Sequence, residues 1–172
     1  LLGVLQGIAF NGGSVEVERL NNLKMLGTKD NDADPSGFNA ALTVGDGGLG
    51  NALVKYGNYA GVTSEGSVGK TTVLGGDVVG SIVSNGGVVG NILVKAIAAF
   101  DAGLNTGIVT GGNFLGAAIH GMGFARKSVG NITCIGGSLG SPGSTVEVIG
   151  VGSIGNVQAK KLRYKREMVG NT

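Results

Sequence analysis

The residue types most able to do chemistry gather in one short run. "KDNDADPSG", residues 29–37, sets Asp30, Asp32 and Asp34 on alternate positions, with Asn31 and Ser36 close by. Oxygen ligands spaced this way along a loop suit Ca²⁺, a hard cation that takes carboxylate and carbonyl oxygens. The three aspartates are therefore the candidate metal ligands, and calcium the one candidate cofactor. Ala41 stands at the twelfth position, where an EF-hand carries its bidentate Glu, so the loop is not an EF-hand. The competing reading is a solvated acidic turn.

Other chemical signatures are outweighed by their context. "GVGSIG", residues 150–155, matches the dinucleotide fingerprint and follows the strand-like "TVEVI". That fingerprint needs a complete βαβ unit, and the stretch after Gly155 is too short to supply the rest of one. "GSVGKTT" resembles a phosphate-binding loop, but Ser64 occupies the place of its first Gly. His120 is the sole His and has no patterned partners, so it reads as a corner or surface residue. The sole Cys, Cys134, lies in an apolar alternation and reads as a small buried hydrophobe. "NIT", residues 131–133, fits a glycosylation sequon. Asp77 and Asp101 fall at different phases of the pattern described below, so no carboxylate pair is set up for glycoside hydrolysis. These observations lead us to expect no catalytic residues and no enzyme.

The elements that carry these residues follow from composition. Gly supplies 36 of 172 residues and Pro only 2, while 42% are hydrophobic. Without a G-x-y period this is not collagen, and the Val and Ile content excludes disorder. Short strands separated by Gly-rich corners remain. Charge is sparse and balanced, with 13 Lys and Arg against 11 Asp and Glu, which argues against a nucleic-acid partner and for self-association. The exception is "KKLRYKRE", residues 160–167, read as a basic solvated edge, with a docking patch for an acidic partner as the competing reading. No apolar run is long enough to span a membrane. The opening "LLGVLQG" reads as a mature chain or a piece of a longer one.

One signature recurs: an aliphatic, then Gly or Asn, a polar residue, and an apolar residue three places on. Clear copies start at Gly48, Ser67, Val88, Ser128 and Ser153, with weaker ones at Arg19 and Gly103 and a partial one at Met168. The starts advance from Arg19 to Met168 in seven steps, a mean period of about 21 residues, which falls in the range of solenoid repeats. A second signature, "GG" followed by an apolar residue, begins at Gly75, Gly111 and Gly136. Each lies at the same offset from a copy of the first, those at Ser67, Gly103 and Ser128 in turn. Between corners the residues alternate, as in "TVEVIGV". The best helix candidate is "ILVKAIAAFDAG", residues 92–103.

These features predict an all-β chain, a parallel β-solenoid (β-helix) of about 21 residues per coil with variable corner loops. Gly marks corners that are left-handed or tightly packed, and Asn stacked at one phase forms a hydrogen-bonded ladder. The expected organisation is a single domain over residues 1–172. Within it, 1–18 form the first strand or coil, 27–47 the longest insert loop and 160–172 a basic C-terminal edge.

Copies such as "SVGNITCIGG", "SVGKTTVLGGDVVGSIV" and "SIGNVQA" resemble the Gly-rich repeats of microbial cell-surface proteins of sheath, surface-layer or adhesin type. The resemblance covers residues 19–172. It implies an extracellular or cell-surface structural protein whose partners are copies of itself, in a homopolymer, together with cell-envelope glycan. It carries over no catalytic residue. The alternatives are a polysaccharide-binding adhesin or tail-fibre segment, which calls for aromatic stacking platforms where the chain has no Trp and only a few early aromatics such as Tyr56, Tyr59 and Phe38, and a polysaccharide-degrading solenoid enzyme.

Overall fold

The computed structural model describes residues 2–27, 37–101, 106–143 and 145–161. All regular structure in them is β. Strands β1 (Leu2–Gly7) and β2 (Ala9–Leu26) lead into β3 (Gly37–Lys55), then β4 (Asn58–Tyr59), β5 (Val62–Ser64), β6 (Val68–Leu74), β7 (Ile82–Ser84) and β8 (Ile92–Lys95). After these come β9 (Ile97–Asp101), β10 (Thr106–Thr110), β11 (Ala118–Gly121), β12 (Lys127–Val129), β13 (Ile132–Ile135), β14 (Glu147–Gly150), β15 (Ser153–Ile154) and β16 (Val157–Lys160). Twelve strands join one curled sheet, and every described pairing is parallel except that of β9 with β10.

Parallel register turns the sequence repeat into columns. Leu20 pairs with Leu49, Leu49 with Val68, Val68 with Val89, and Val89 with Val129. Each is the aliphatic of one copy of the signature, and all five are 2% exposed or less. Three residues on, Leu23, Ala52, Thr71, Ile92 and Ile132 make a second buried column. The second signature makes a third, through Phe38, Tyr59, Val78 and Phe114. Its aromatics stack: the Phe10 and Phe38 rings lie 5.4 Å apart and those of Phe38 and Tyr59 6.3 Å apart. Each aliphatic side chain enclosed this way contributes about 1.5–3 kcal/mol of burial.

The levels are unequal in length. Aligned residues are 29 apart between Asn22 and Asn51, 21 apart between Ser67 and Val88, and 25 apart between Asn131 and Asn156. Between Asn91 and Asn131 the separation is 40. Of the weak copy at Gly103, residues 103–105 lie outside the described residues and Thr106–Val109 belong to β10, which pairs only with β9. Val89 stacks directly on Val129; of the chain between them, β8 and β11 stay in the parallel sheet and β9 and β10 pair with each other as an antiparallel hairpin. The helix candidate also fails. Ile92 and Val94 are buried while Leu93 and Lys95 point outward, a period of two, and Ile92 is held between Thr71 and Ile132. The expected insert loop is shorter than residues 27–47, because residues 37–47 belong to β3. The 28–36 part lies outside the described residues.

Two kinds of Gly corner separate here. At Gly50, Gly69, Gly90 and Gly130 the backbone is not left-handed. An added Cβ would strike the level below: the carbonyl of Asn21 at Gly50, of Gly50 at Gly69, and backbone of Gly69 and Gly90 at the other two. Asn21 has no positive φ either, so left-handed tolerance does not explain Asn in the first copy. The second signature is the left-handed one. Gly75, Gly111 and Gly136 have φ of 72°, 73° and 81°, and Tyr56 takes the same phase at φ 57°.

Candidate functional site: stacked corners and an open edge

Two ladders of polar side chains run along the stack, with separate hydroxyl bonds beside them. In the first, the Asn131 backbone N–H donates to Asn91 Oδ1 at 2.9 Å, and the Asn156 N–H donates to Asn131 Oδ1 at 3.1 Å. Asn51 Nδ2 reaches Asn22 Oδ1 at 3.5 Å. Lys70 pairs with Asn51 in this row and interrupts it. This places the phosphate-loop look-alike in the repeat, with no helix after it.

The second ladder joins Asn58, Asp77, Asn113 and Ser138. The Asp77 N–H donates to Asn58 Oδ1 at 3.0 Å, the Asn113 N–H to Asp77 Oδ1 at 2.8 Å, and the Ser138 N–H to Asn113 Oδ1 at 2.9 Å. Single hydroxyl bonds join levels at two further corners, one before the Val68–Val129 column and one before β7. Ser67 Oγ accepts the Val88 N–H at 3.2 Å, Ser81 Oγ the Ala118 N–H at 3.1 Å, and Ser128 Oγ the Gly152 N–H at 2.9 Å. In each bond an acceptor on one level takes an N–H of the level that follows it in sequence. The expected Asn ladder is present, with backbone N–H groups as its main donors. Asp77, which has no partner carboxylate, is a rung of such a ladder.

His120 acquires a partner that sequence inspection missed. It lies on β11, and its Nε2 is 3.1 Å from Glu147 Oε2 on β14. The two are 27 residues apart, and only the parallel register of Ala118 with Glu147 makes them neighbours. The pair is half in solvent, with the Glu147 side chain 63% exposed. Exposed pairs of this kind contribute little. Among the described residues no three His, Cys, Asp or Glu side chains come together to hold a metal. Asp30, Asp32 and Asp34 lie outside the described residues, as do residues 168–172 of the last partial copy.

Other sequence candidates take interior places. Cys134 is fully buried between Val94 and Ala159, and burial raises its thiol pKa. Phe38 and Tyr59 are 0% exposed, so they are not platforms for a glycan. Burial likewise pushes the Tyr59 phenol far up, and its hydroxyl has no hydrogen-bond partner among the described residues. Gly150–Gly155 spans the bend between β14 and β15, without the helix that a dinucleotide site requires.

The edge of the stack formed by β14–β16 differs from the levels beneath. Ile154 continues the Val129 column and Val157 the Ile132 column. Val129 and Ile132 are 0% exposed, whereas Ile154 is 38% and Val157 45% exposed. At the other edge Leu2 and Leu5 begin the same two columns, beneath Leu20 and Leu23. No helix of the described residues is long and apolar enough to cross a membrane. No family model matches the chain, and comparison with curated proteins and with solved structures gave no match.

Proposed function

We propose that this chain is a β-solenoid with coils of about 21 residues and variable corner loops. In this reading it is a structural protein outside the cell, and it assembles with copies of itself, edge on edge, into a fibre, sheath or surface layer. The observation that carries it is the exposure of Ile154 and Val157 at the head of columns that are buried from Leu20 to Val129 and from Leu23 to Ile132. A second copy seated there would set its Leu2 over Ile154 and its Leu5 over Val157, continuing both columns. Asn156, which stacks on Asn131, would offer its Oδ1 to an N–H of the incoming level. Unpaired strand edges are ready templates for such addition.

The extracellular placement rests on the Gly-rich, weakly charged composition and on the resemblance of the repeats to those of microbial surface proteins. In this reading the role is architectural, and the corner Asn, Asp and Ser side chains serve to bond one level to the next.

The test is sedimentation velocity over a range of concentrations, with negative-stain microscopy of the same samples. Filaments or concentration-dependent growth are expected for the natural chain and should vanish in the double variant Ile154→Lys, Val157→Lys. A single monomeric boundary at every concentration would overturn the reading.

A further inference from the structure

Among the described residues, one outer face of the sheet collects cations. It consists of the outward positions of β1, the second half of β2, the second half of β3, and β6, β8, β13 and β16. On it stand Lys24, Lys55, Lys70, Lys95 and Lys160. From Leu20 onward in β2 and from Leu49 onward in β3, and along the other strands of this face, no outward position carries Asp or Glu; Glu18 and Asp46 stand at the corner before it. The single ion pair among the described residues, His120–Glu147, lies elsewhere. The carboxylates of Glu16 and Glu147 belong to strands paired on the other face, and Glu65 stands at a corner bonded to Asn85.

The lysines are also spaced. Lys55 pairs with Leu74, Leu74 with Lys95, Lys95 with Ile135, and Ile135 with Lys160. Charge therefore recurs on every second level, with an aliphatic side chain between. Levels in a parallel sheet are ~4.8 Å apart, so the cations repeat every ~9.6 Å along the stack. One level is about the advance of one pyranose in an extended glycan. At the first levels the face also holds a cavity of about 400 Å³, lined by Val4, Gln6, Asn22, Lys24, Asn51 and Leu53. It combines amides for hydroxyl groups, apolar surface for a ring face and an ammonium for a carboxylate.

We infer that this lysine face binds a linear acidic polysaccharide that carries a carboxylate on every second sugar and lies along the stack. A carboxylate every ~10 Å meets Lys55, Lys95 and Lys160 in turn, and the intervening sugars lie over Leu74 and Ile135. The face runs parallel to the stacking axis and perpendicular to the edges, so this inference does not depend on self-assembly.

Surface-immobilised hyaluronan, which alternates charged and neutral sugars, is the probe. A neutral β-glucan and a single-stranded DNA oligonucleotide of equal charge are the comparisons. Hyaluronan should bind in a salt-dependent manner, more tightly than either. The triple variant Lys55→Gln, Lys95→Gln, Lys160→Gln should weaken binding about tenfold or more with an unchanged circular dichroism spectrum. The variant Arg126→Gln, Lys127→Gln, which removes cations from the opposite corner, should bind as the natural chain does. Absence of hyaluronan binding, equal loss in both variants, or preference for DNA would each overturn the inference. Repeating the measurement on the Ile154→Lys, Val157→Lys chain separates this outcome from that of assembly.

Discussion

Asp77 Oδ1 receives both N–H groups that Asn113 can send it, the backbone at 2.8 Å and the side-chain Nδ2 at 3.0 Å, across 36 residues of sequence. The bond joins two levels at a corner where the strands themselves have given out. Asp77→Ala removes an anionic acceptor and strands a partly buried N–H. A loss of about 1.5–3 kcal/mol in urea-unfolding free energy is expected. Asp77→Asn keeps an oxygen for the backbone N–H and should lose less than half of that.

The tight corners give a sharper contrast. A Cβ on Gly69 would fall inside the carbonyl oxygen of Gly50, and neither backbone can yield without breaking the register above and below it. Gly69→Ala should cost about 3 kcal/mol or more, or abolish folding. Gly3 has no atom within 4 Å of the same position and no positive φ. Gly3→Ala should be neutral or stabilising by about 0.5 kcal/mol, because Ala narrows the unfolded ensemble. Thermal unfolding of the two variants checks both.

Thr71 interrupts an apolar column. Its Oγ1 is buried with no hydrogen-bond partner among the described residues, in a column where Ala52 lies below and Ile92 above. Thr71→Val keeps the shape and removes the orphaned hydroxyl. An increase of about 1 kcal/mol in unfolding free energy is expected. A decrease would show that the hydroxyl finds a partner.

Burial raises the pKa of Cys134 above 9.0 and that of Tyr59 above 10.0. Both groups are neutral when protonated, so the unfolded chain releases their protons first as pH rises. Above pH 9 the unfolded state binds fewer protons than the folded state, and stability falls with increasing pH. The stabilisation is complete below pH 9 and declines first through Cys134, then from pH 10 through Tyr59. Urea midpoints between pH 7 and 11 should show this decline. Cys134→Ala should flatten its first part and leave the second. The native thiol should also resist iodoacetamide at pH 8.

Much of this architecture is legible in the sequence because parallel stacking repeats one environment at one phase. The aliphatic positions of the copies at Gly48, Ser67, Val88, Ser128 and Ser153 fall in one column, with a register shift just before Val129 and Ile154, and the offset of the second signature sets Val78, Phe114 and Leu139 in line. The copy at Gly103 misled because "LNTGIV" satisfies the alternation of a strand equally well in a hairpin, and alternation does not reveal which strand is the neighbour. The same limit hid the pairing of His120 with Glu147. Their contact depends on the number of residues in the intervening coil, and a pattern of apolar positions does not fix that number. The lysine face was equally hidden. Lys55, Lys95 and Lys160 are ordinary polar positions in sequence, and become a row only once the level lengths are known.

Val89 and Val129 remain in contact although 40 residues separate the aligned positions beside them. Phase is thus conserved across a level while length is not. The neighbours of a level sense only its ladder, and material added at a corner is invisible to them. The β9–β10 excursion shows the tolerance: its two strands pair with each other, and the rungs on either side keep their register. By the same logic, chains built this way can diverge by insertion faster than by substitution.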